Sequence, residues 1–253
     1  MKAELKDGTC LERRWPLTID QGNVHIWLVN MRLPSHRFRD CNELLADEER
    51  TRARRFRFER DRRRFIVARA ALRIILGAYL GLKPTHVVFS YSAAGKPEIR
   101  AALSDSRIEF NLSHSQDQCL VVLTRHCAIG ADIEWIQPEF ATEDVAFSFL
   151  SQKEQKRFRA SDPVDRLTDF FRYWTRKEAC VKALGDGISF PLRSFKAPLR
   201  SGRVARLFRA NAVPPHVFRC SVYDIHSPPD YCAAVAIEGT KHTLKYLDWK
   251  WLL

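Results

Sequence analysis

The segment from Arg172 to Gly187 places the strongest constraint on the fold, because its apolar and charged residues recur at the spacing of an α-helix. Trp174, Glu178 and Lys182 stand four residues apart and therefore share one face of that helix. The face carries an acid and a base one turn apart. The glycines at the end of the segment predict where the helix stops.

Two structural interpretations compete with a chemical role for this face. Thr175 and Glu178 match the Thr-x-x-Glu pattern of a capping box, which would make the helix restart at Thr175. Glu178 and Lys182 also have the spacing of a stabilising ion pair. Taken alone, the segment favours a structural role, and a chemical role gains support only from a second acidic segment upstream.

The second acidic segment is Ile129–Glu134, in which apolar residues alternate with Gly130, Asp132 and Glu134, as in a β-strand. Residues two apart on a strand point to the same side and lie about 6.5–7 Å apart along the chain. The two carboxylates can therefore converge on one cation. Mg²⁺ takes carboxylate oxygens together with water and phosphate oxygens. The alternative is the solvated face of a half-buried strand.

The charge of the chain favours anionic partners. There are 42 Lys and Arg residues against 30 Asp and Glu, a net charge of +12. Eleven arginines and only two acids lie between Arg50 and Arg73. This run is typical of a nucleic-acid-binding surface or of a solvated helix face. No zinc-finger spacing or aromatic-interleaved strand motif accompanies it.

Cysteine usage and hydropathy bear on the compartment. The seven cysteines are scattered and include no Cys-x-x-Cys pair, which favours reduced thiols in a cytosolic protein. There is no apolar run of about 18 residues and no apolar segment at the start of the sequence. We therefore expect a cytoplasmic protein without a membrane partner.

The remaining periodicities predict an α+β chain with helices and strands in both halves, 1–125 and 126–253. Helices are predicted at 42–60, 61–80 and 142–159, and from Asp162-Pro163 to Leu184. Strands are predicted at 23–31, 86–92, 107–112, 118–125, 127–135, around Phe195, and at 203–209, 216–224, 231–238 and 244–249. The short connection between 118–125 and 127–135 predicts antiparallel pairing of these two strands.

A serine and a histidine, Ser113 and His114, follow the strand at 107–112. Such a pair is found in hydrolases, but adjacent residues on an extended chain point to opposite sides. Neither a Gly-x-Ser-x-Gly elbow nor a third member of a triad is visible. The sequence therefore does not favour a hydrolase.

Together these segments resemble the 4′-phosphopantetheinyl transferases, in particular the larger, surfactin-synthetase-activating type. The resemblance covers most of residues 45–196 and rests on five motifs in the family's order: Gly95-Lys-Pro97, Phe110-Asn-Leu-Ser-His-Ser115, Gly130-Ala-Asp132-Ile-Glu134, Trp174-Thr-Arg-Lys177-Glu178-Ala-Cys-Val-Lys182 and Gly187-Ile-Ser-Phe-Pro-Leu-Arg-Ser-Phe195. It implies two similar α/β subdomains related by a pseudo-twofold axis, with the active site between them.

The resemblance also implies an activity. Enzymes of this family transfer 4′-phosphopantetheine from coenzyme A to a serine of an apo acyl or peptidyl carrier protein, with Mg²⁺, and release 3′,5′-ADP. We expect coenzyme A and carrier proteins as partners, no nucleic acid, and a monomer. The alternative is a non-catalytic basic protein that binds nucleotides or RNA.

Residue roles follow from the same resemblance. Asp132, Glu134 and Glu178 match the family's Mg²⁺ ligands. Glu178 is also the candidate proton acceptor, and Lys182 would offset charge on the transferred phosphate. The residues matched to coenzyme A binding are Arg52, Arg64, Lys96, Ser113, His114 and Lys182.

Four further positions either depart from the family's pattern or receive no predicted chemical role. Glu49 stands where the family can carry a lysine, and Phe65 replaces a small hydroxyl residue. Both departures affect the expected binding of the 3′-phosphate. Trp174 is expected to pack in the core, and Lys177 receives no definite role, because it lies about 100° around the helix from Glu178.

Overall fold

The computed structural model describes residues 3–4, 10–11, 16–93, 95–100, 107–185, 190–198, 201–209 and 216–249. Helices and strands are interspersed along these residues, so the expected α+β class is confirmed. Residues 187–189 of the fifth motif lie outside the described part of the chain, as do most of the first fifteen residues.

The described part of the chain contains six α-helices, twelve strands and three short 3₁₀ turns. The helices are α1 (Ser35–Glu43), α2 (Asp47–Arg54), α3 (Glu59–Leu80), α4 (Glu143–Phe149), α5 (Gln152–Arg159) and α6 (Arg166–Leu184). The strands are β1 (Ala3–Glu4), β2 (Cys10–Leu11), β3 (Asn23–Asn30), β4 (Phe89–Tyr91), β5 (Pro97–Ile99), β6 (Ile108–Ser115), β7 (Gln118–Arg125), β8 (Ile129–Trp135), β9 (Arg203–Arg209), β10 (His216–Asp224), β11 (Tyr231–Glu238) and β12 (Thr243–Leu247). The 3₁₀ turns are Pro84–His86, Pro138–Phe140 and Leu192–Ser194.

Two four-stranded sheets form the centre of the fold. Their strand orders are β12-β3-β7-β6 and β8-β11-β10-β9, and neighbours run antiparallel except for the parallel pair β12 and β3. The predicted pairing of β7 with β8 is wrong. Both edges of β7 are already occupied, by β3 and β6, and β8 pairs with β11 in the other sheet.

The two sheets pack face to face, and one long helix covers the outer face of each. Apolar residues of β3 and β7 meet those of β8 and β11 between the sheets. Helix α3 packs on the outer face of the first sheet and α6 on that of the second. The alternation along β8 therefore separates its two faces: Ile129, Ala131 and Ile133 enter the core between the sheets, and Gly130 and Asp132 face α6.

One strand crosses between the two halves of the chain. Strand β12, close to the C-terminal end of the sequence, lies beside β3 in the first sheet. A boundary at residue 125 therefore separates the strands of the two sheets with the exception of β12. The division into subdomains 1–125 and 126–253 stays a prediction.

The same capped helix occurs once in each half. Glu49, in the first turn of α2, accepts a hydrogen bond from the backbone N–H of Ala46 at 2.9 Å. Glu154, in the first turn of α5, accepts one from the N–H of Ser151 at 2.8 Å. A carboxylate at this position satisfies a backbone donor that the helix itself leaves free. Each short helix precedes one of the two long helices, α3 and α6.

Each of these carboxylates also holds buried cations of the long helix that follows. Glu49 accepts hydrogen bonds from Arg69 Nε at 2.8 Å and Arg73 Nε at 2.6 Å. Lys177 Nζ lies 2.9 Å from Glu154 Oε2, and both side chains are almost fully buried. The two halves therefore share a cap and a buried ion pair, an arrangement consistent with the expected pseudo-twofold relation.

The structure corrects two predicted helices. The single helix predicted at 42–60 is divided among the end of α1, α2 and the start of α3. The helix predicted at 142–159 is two helices, because a side chain caps the start of each: Thr142 Oγ1 accepts from the N–H of Val145, and Glu154 Oε2 accepts from the N–H of Ser151. The Ser-x-x-Glu pattern at 151–154 is a sequence signal for the second start.

Helix α6 also differs from its prediction. It begins at Arg166 rather than at Asp162-Pro163, and it continues without a break through Thr175. Thr175 Oγ1 donates to the carbonyl of Phe171 at 2.9 Å, as a hydroxyl inside a helix does. The capping box of Thr175 and Glu178 is therefore wrong.

Two predicted strands are shorter or absent. The strand expected around Phe195 is the 3₁₀ turn Leu192–Ser194, and Phe195 itself packs into the core beneath α6. Only Phe89–Tyr91 of the strand predicted at 86–92 forms, because Pro84–His86 is a 3₁₀ turn.

The buried pairs of Glu49 predict a large difference between two carboxylates of α2. Glu49→Ala should lower the free energy of unfolding by about 3–5 kcal/mol, because it leaves two buried guanidinium groups without a counter-charge. Asp47→Ala, which removes an exposed partner of Arg50, should have a far smaller effect. Urea unfolding of both variants measures the difference, and equal losses would contradict the assignment.

Candidate active site

The predicted site residues of β8 and α6 meet at one place. Lys182 Nζ lies 2.6 Å from Asp132 Oδ1 and 3.2 Å from Ser113 Oγ. The predicted ion pair of Lys182 with Glu178 is therefore replaced by one with Asp132. Glu134 and Glu178 are close enough to act electrostatically on Lys182. One cation thus stands among three carboxylates.

Gly130 makes this meeting possible. A Cβ atom at this position would collide with the backbone of α6 at the carbonyl of Ala179, the N–H of Ala183 and the carbonyl carbon of Lys182. The absent side chain therefore lets β8 lie directly against the helix backbone. Strand and helix approach each other where Asp132 and Lys182 project.

The other edge of β8 is held by side chains instead of a strand. Asn111 Oδ1 accepts from the N–H of Ala131 at 2.9 Å. In the same way Ser113 Oγ accepts from the N–H of Ile133 at 3.4 Å, and Ser115 Oγ from the N–H of Trp135 at 3.1 Å. We call Asn111, Ser113 and Ser115 the β6 side-chain ladder. It joins the edge strands of the two sheets.

Two members of the β6 side-chain ladder also orient the candidate carboxylates. Ser113 Oγ donates to Asp132 Oδ1 at 2.9 Å, and Ser115 Oγ donates to Glu134 Oε2 at 2.8 Å. Asn111 and Ser115 are not among the site residues predicted from the sequence. Their alternation along a predicted strand, Asn-x-Ser-x-Ser, is the signal that could have identified them.

The crowding of carboxylates shifts their protonation. Burial, and then the charge of Asp132, raises the pKa of Glu134 to about 7. Burial and Asp132 also raise the pKa of Glu178 above its ordinary value. Burial alone would lower the pKa of Lys182, but Asp132, Glu178 and Glu134 together outweigh this effect and raise that pKa. Lys182 therefore stays charged, while the two glutamates hold protons more tightly than usual.

The fit of this cluster to a metal ion rests on one unpaired atom. Asp132 Oδ2 is buried and has no hydrogen-bond partner in the described part of the chain. Buried carboxylate oxygens are normally hydrogen-bonded or bound to a cation. The described residues contain no group of three His, Cys, Asp or Glu side chains already arranged to hold a metal. The donors therefore suit a hard cation, but the three carboxylates are not yet gathered around one point.

Cations of the first half lie beside this cluster. His114 follows Ser113 on β6, and the residue is exposed. Desolvation by the surrounding protein, and then the charges of Lys182, Arg64 and Arg52, lower the pKa of His114. The predicted ligands of coenzyme A from α2, α3 and β6 thus converge near Lys182 of α6.

The two arginines of this group differ in their surroundings. Arg64 Nε donates to Asp117 Oδ1 at 3.1 Å, and its guanidinium also lies 3.6 Å from Asp61. Arg52 is exposed and stacks over Phe65 at 5.3 Å. Phe65, which stands where the family has a small hydroxyl residue, therefore provides the aromatic ring against which Arg52 packs. Glu49 faces α3 and not this group, so its negative charge is neutralised inside the fold.

Comparison with known proteins identifies the family. A sequence model of the 4′-phosphopantetheinyl transferase superfamily matches residues 128–236, and one of the N-terminal part of a 4′-phosphopantetheinyl transferase matches residues 33–126. The 4′-phosphopantetheinyl transferase HetI of Nostoc sp. is 37% identical over 224 residues, which span 88% of this chain and 91% of HetI. The chain belongs to the 4′-phosphopantetheinyl transferases.

Two further relatives support this assignment. The 4′-phosphopantetheinyl transferase psf-1 of Bacillus pumilus is 35% identical over 189 residues, which span 74% of this chain and 76% of psf-1. The 4′-phosphopantetheinyl transferase Sfp of Bacillus subtilis is 30% identical over 162 residues, which span 64% of this chain and 70% of Sfp. The predicted type is therefore confirmed.

As a 4′-phosphopantetheinyl transferase, the protein transfers phosphopantetheine from coenzyme A to carrier proteins. The alternative of a non-catalytic nucleotide- or RNA-binding protein finds no support in these matches. Among the described helices, none is both long enough and apolar enough to cross a membrane.

Two residues of the transferase motif on α6 have contacts that the sequence did not predict. Lys177 is fully buried and, besides Glu154, donates to the carbonyls of Leu192 and Phe195. Lys177 therefore anchors the segment that contains Leu192 and Phe195 to α6. Trp174 packs edge-to-face on Phe149, as expected for a core residue, but its indole also interacts with Glu134 and lowers the pKa of that carboxyl.

The close approach at Gly130 predicts a strong effect of one methyl group. Gly130→Ala should abolish most of the transferase activity and destabilise the fold by about 1–3 kcal/mol, because the new Cβ forces α6 away from β8. Gly22→Ala is the control: its Cβ meets open space, and the positive φ of 83° costs about 1 kcal/mol. A Gly130→Ala variant with parental activity would contradict this packing.

The raised pKa of Glu134 predicts how stability depends on pH. The native state holds this proton more tightly than the unfolded chain, whose glutamates titrate near 4.5. In the absence of divalent cations Glu134 should therefore make a contribution to the free energy of unfolding that falls as pH rises from about 4.5 to about 7, and the difference in slope between the parent and Glu134→Gln isolates this contribution. The size is at most a few kcal/mol, since one pKa unit corresponds to about 1.4 kcal/mol.

Urea unfolding at a series of pH values measures this slope. Glu134→Gln should remove the contribution of this carboxyl, so the free energy of unfolding of the variant should fall less, or rise more, with pH than that of the parent. The exposed Glu43→Gln should leave the slope unchanged. An identical slope in the parent and in Glu134→Gln would disprove the assignment.

Proposed function

We propose that the cluster of Asp132, Glu134, Glu178 and Lys182 is the active site of this transferase. The observation that carries the proposal is the contact of the Lys182 ammonium with Asp132 Oδ1, while Asp132 Oδ2 stays buried and unpaired. A buried oxygen without a partner is costly unless a ligand completes its environment. The neighbouring Glu134 and Glu178 supply further oxygens on the same side.

Asp132, Glu134 and Glu178 would hold Mg²⁺. A cation held there would supply positive charge that offsets the negative charge of the coenzyme A phosphates during transfer. The raised pKa values of both glutamates support this assignment, because a bound cation favours their charged forms and relieves their mutual repulsion. Ser113 orients Asp132 and Ser115 orients Glu134, and each serine bonds to only one oxygen of its carboxylate. The other oxygen is therefore not engaged by these serines.

Coenzyme A would lie between the two halves of the chain. Its pyrophosphate and 3′-phosphate carry several negative charges, and the cations that converge near His114 come from α2, α3 and α6. Arg52 and Arg64 would bind phosphates, and Ser113 and His114 would contact the phosphate end. Guanidinium groups suit this task because they can offer two N–H donors to one phosphate.

The chain's own residues would divide the chemistry between a base and a cation. The carrier serine attacks the β-phosphorus, and 3′,5′-ADP leaves. Glu178 is partly exposed on α6, so it can reach an incoming hydroxyl, and its raised pKa makes it a stronger base than an ordinary glutamate. Lys182 is a poor candidate for the base, because the neighbouring carboxylates raise its pKa. It would stabilise charge on the transferred phosphate.

The two-subdomain organisation and the carrier partner belong to the same proposal. Residues 1–125 would contribute the phosphate-binding cations, and residues 126–253 the metal ligands and the base. The two family matches, 33–126 and 128–236, support a boundary close to residue 125. We expect acyl and peptidyl carrier proteins as acceptors.

The experiment that tests the proposal compares transfer by single variants. The parent, incubated with coenzyme A, Mg²⁺ and an apo carrier protein, should add the mass of phosphopantetheine to the carrier. Glu178→Gln should fold normally and transfer on the order of 100-fold more slowly or worse, because the amide can neither accept the proton nor hold the metal well. The exposed Glu43→Gln is the control and should transfer at the parental rate.

A second measurement separates metal binding from turnover. Mg²⁺ should raise the thermal unfolding temperature of the parent, and this rise should shrink in both Asp132→Asn and Glu178→Gln. Parental transfer rates in Glu178→Gln would refute its role as base. An unchanged response to Mg²⁺ in both variants would refute the metal assignment.

A further inference from the structure

Lys96 is a partly buried cation that bonds to neutral groups. Its Nζ donates to the carbonyl of Ile129 at 3.0 Å and to the carbonyl of Lys182 at 3.2 Å. Within the described residues no carboxylate lies within ion-pair distance of it. Burial lowers the pKa of Lys96, although Glu109 and Glu98 act in the opposite direction. A desolvated ammonium in such a place is costly, so its two hydrogen bonds must repay that cost.

The two acceptor carbonyls belong to the two elements that build the active site. Ile129 begins β8 and directly precedes Gly130, where the strand touches α6. Lys182 lies in the last turn of α6, which ends at Leu184. Carbonyls in a last turn lack a partner within the helix, and a cation placed there is favourable. The Lys96 ammonium therefore bridges β8 and α6 beside their closest approach.

Hydrogen bonds between Ser92 and Lys96, in the first half of the chain, position this ammonium. The N–H of Ser92 donates to the carbonyl of Lys96 at 2.9 Å, and the N–H of Lys96 donates to Ser92 Oγ at 3.1 Å. Gly95 takes a φ of 78°, which a glycine adopts without strain. The turn joins β4 to β5, so Lys96 reaches from the first half of the chain into the second.

We propose that Lys96 is a positioning residue, whose ammonium clamps β8 to the last turn of α6 and so keeps Lys182 aligned with Asp132. This role replaces the direct binding of coenzyme A that the sequence predicts for Lys96. The proposal rests on the proposed roles of Asp132 and Lys182. In a purely phosphate-binding role the ammonium would be free to face the ligand, whereas here two of its three donors are already engaged.

Chemical footprinting of the unaltered protein tests where the ammonium lies. Reductive methylation followed by peptide mass analysis should leave Lys96 largely unmodified, both with and without coenzyme A. The exposed Lys83, in the same half of the chain, should be methylated under both conditions. Methylation of Lys96 in the free protein that coenzyme A then prevents would overturn the proposal.

Steady-state kinetics test the consequence for catalysis. Lys96→Met keeps the length of the side chain and removes the ammonium, so kcat should fall about 10-fold or more through misalignment, while KM for coenzyme A changes less than about twofold. Lys96→Arg should restore much of kcat. Lys83→Met removes the same charge from an exposed site and should match the parent. A large rise in KM with kcat intact would show that Lys96 binds coenzyme A instead.

Amide hydrogen exchange gives a readout that does not depend on activity. In Lys96→Met, exchange should accelerate in β8 and in the last turn of α6, while α3 should exchange as in the parent. Unchanged exchange at β8 and α6 would reject the clamp. If instead Asp132→Asn transfers at the parental rate while exchange responds to Lys96→Met, the proposed active site fails and the clamp stands. If Lys96→Met does not fold, footprinting of the parent alone decides.

Discussion

The junction of β6 with β8 is the interaction on which the rest of the site depends. These are the edge strands of two different sheets, and edge strands normally leave a row of backbone donors unpaired. Here Asn111, Ser113 and Ser115 accept from alternate N–H groups of β8. Because side chains replace a backbone partner, the same atoms can also bond to Asp132 and Glu134. The contact that joins the sheets therefore also orients the carboxylates.

Close packing on the other side of β8 completes this arrangement. Gly130 allows the strand to lie against the backbone of α6, which brings Lys182 onto Asp132. The short distance between charges has an electrostatic result. Burial and mutual repulsion raise the pKa values of Glu134 and Glu178, while the neighbouring anions keep Lys182 protonated. A site with raised carboxyl pKa values is well suited to bind a cation and to accept a proton.

Buried charges serve a structural purpose at some distance from this chemistry. Glu49 and Glu154 each cap a short helix and neutralise cations of the following long helix. Burial of charge by itself contributes little to stability, but the geometry that it demands fixes the position of the helices. In the first half this fixes α2, from which Arg52 extends toward His114. In the second half Lys177 fixes the chain after α6.

The sequence by itself determined the mixed fold class, the long helices α3 and α6, most strands, and the family with its activity. Local periodicity determines these elements, and the order of the motifs identifies the family. Both can therefore be predicted without the tertiary structure. The sequence also selected Asp132, Glu134, Glu178 and Lys182, because a strand and a helix each gather residues on one face.

Only the tertiary structure decided which faces meet. Strand pairing depends on which edges are free, so β8 bonds to β11 although β7 is its neighbour in sequence. The partner of Lys182 depends on the approach of β8 and not on helical spacing, which is why it bonds to Asp132 and not to Glu178. The roles of Gly130, Asn111, Ser115 and the Lys96 ammonium rest on contacts between residues far apart in sequence. No local pattern encodes such contacts, because they arise when two sheets and two helices pack together.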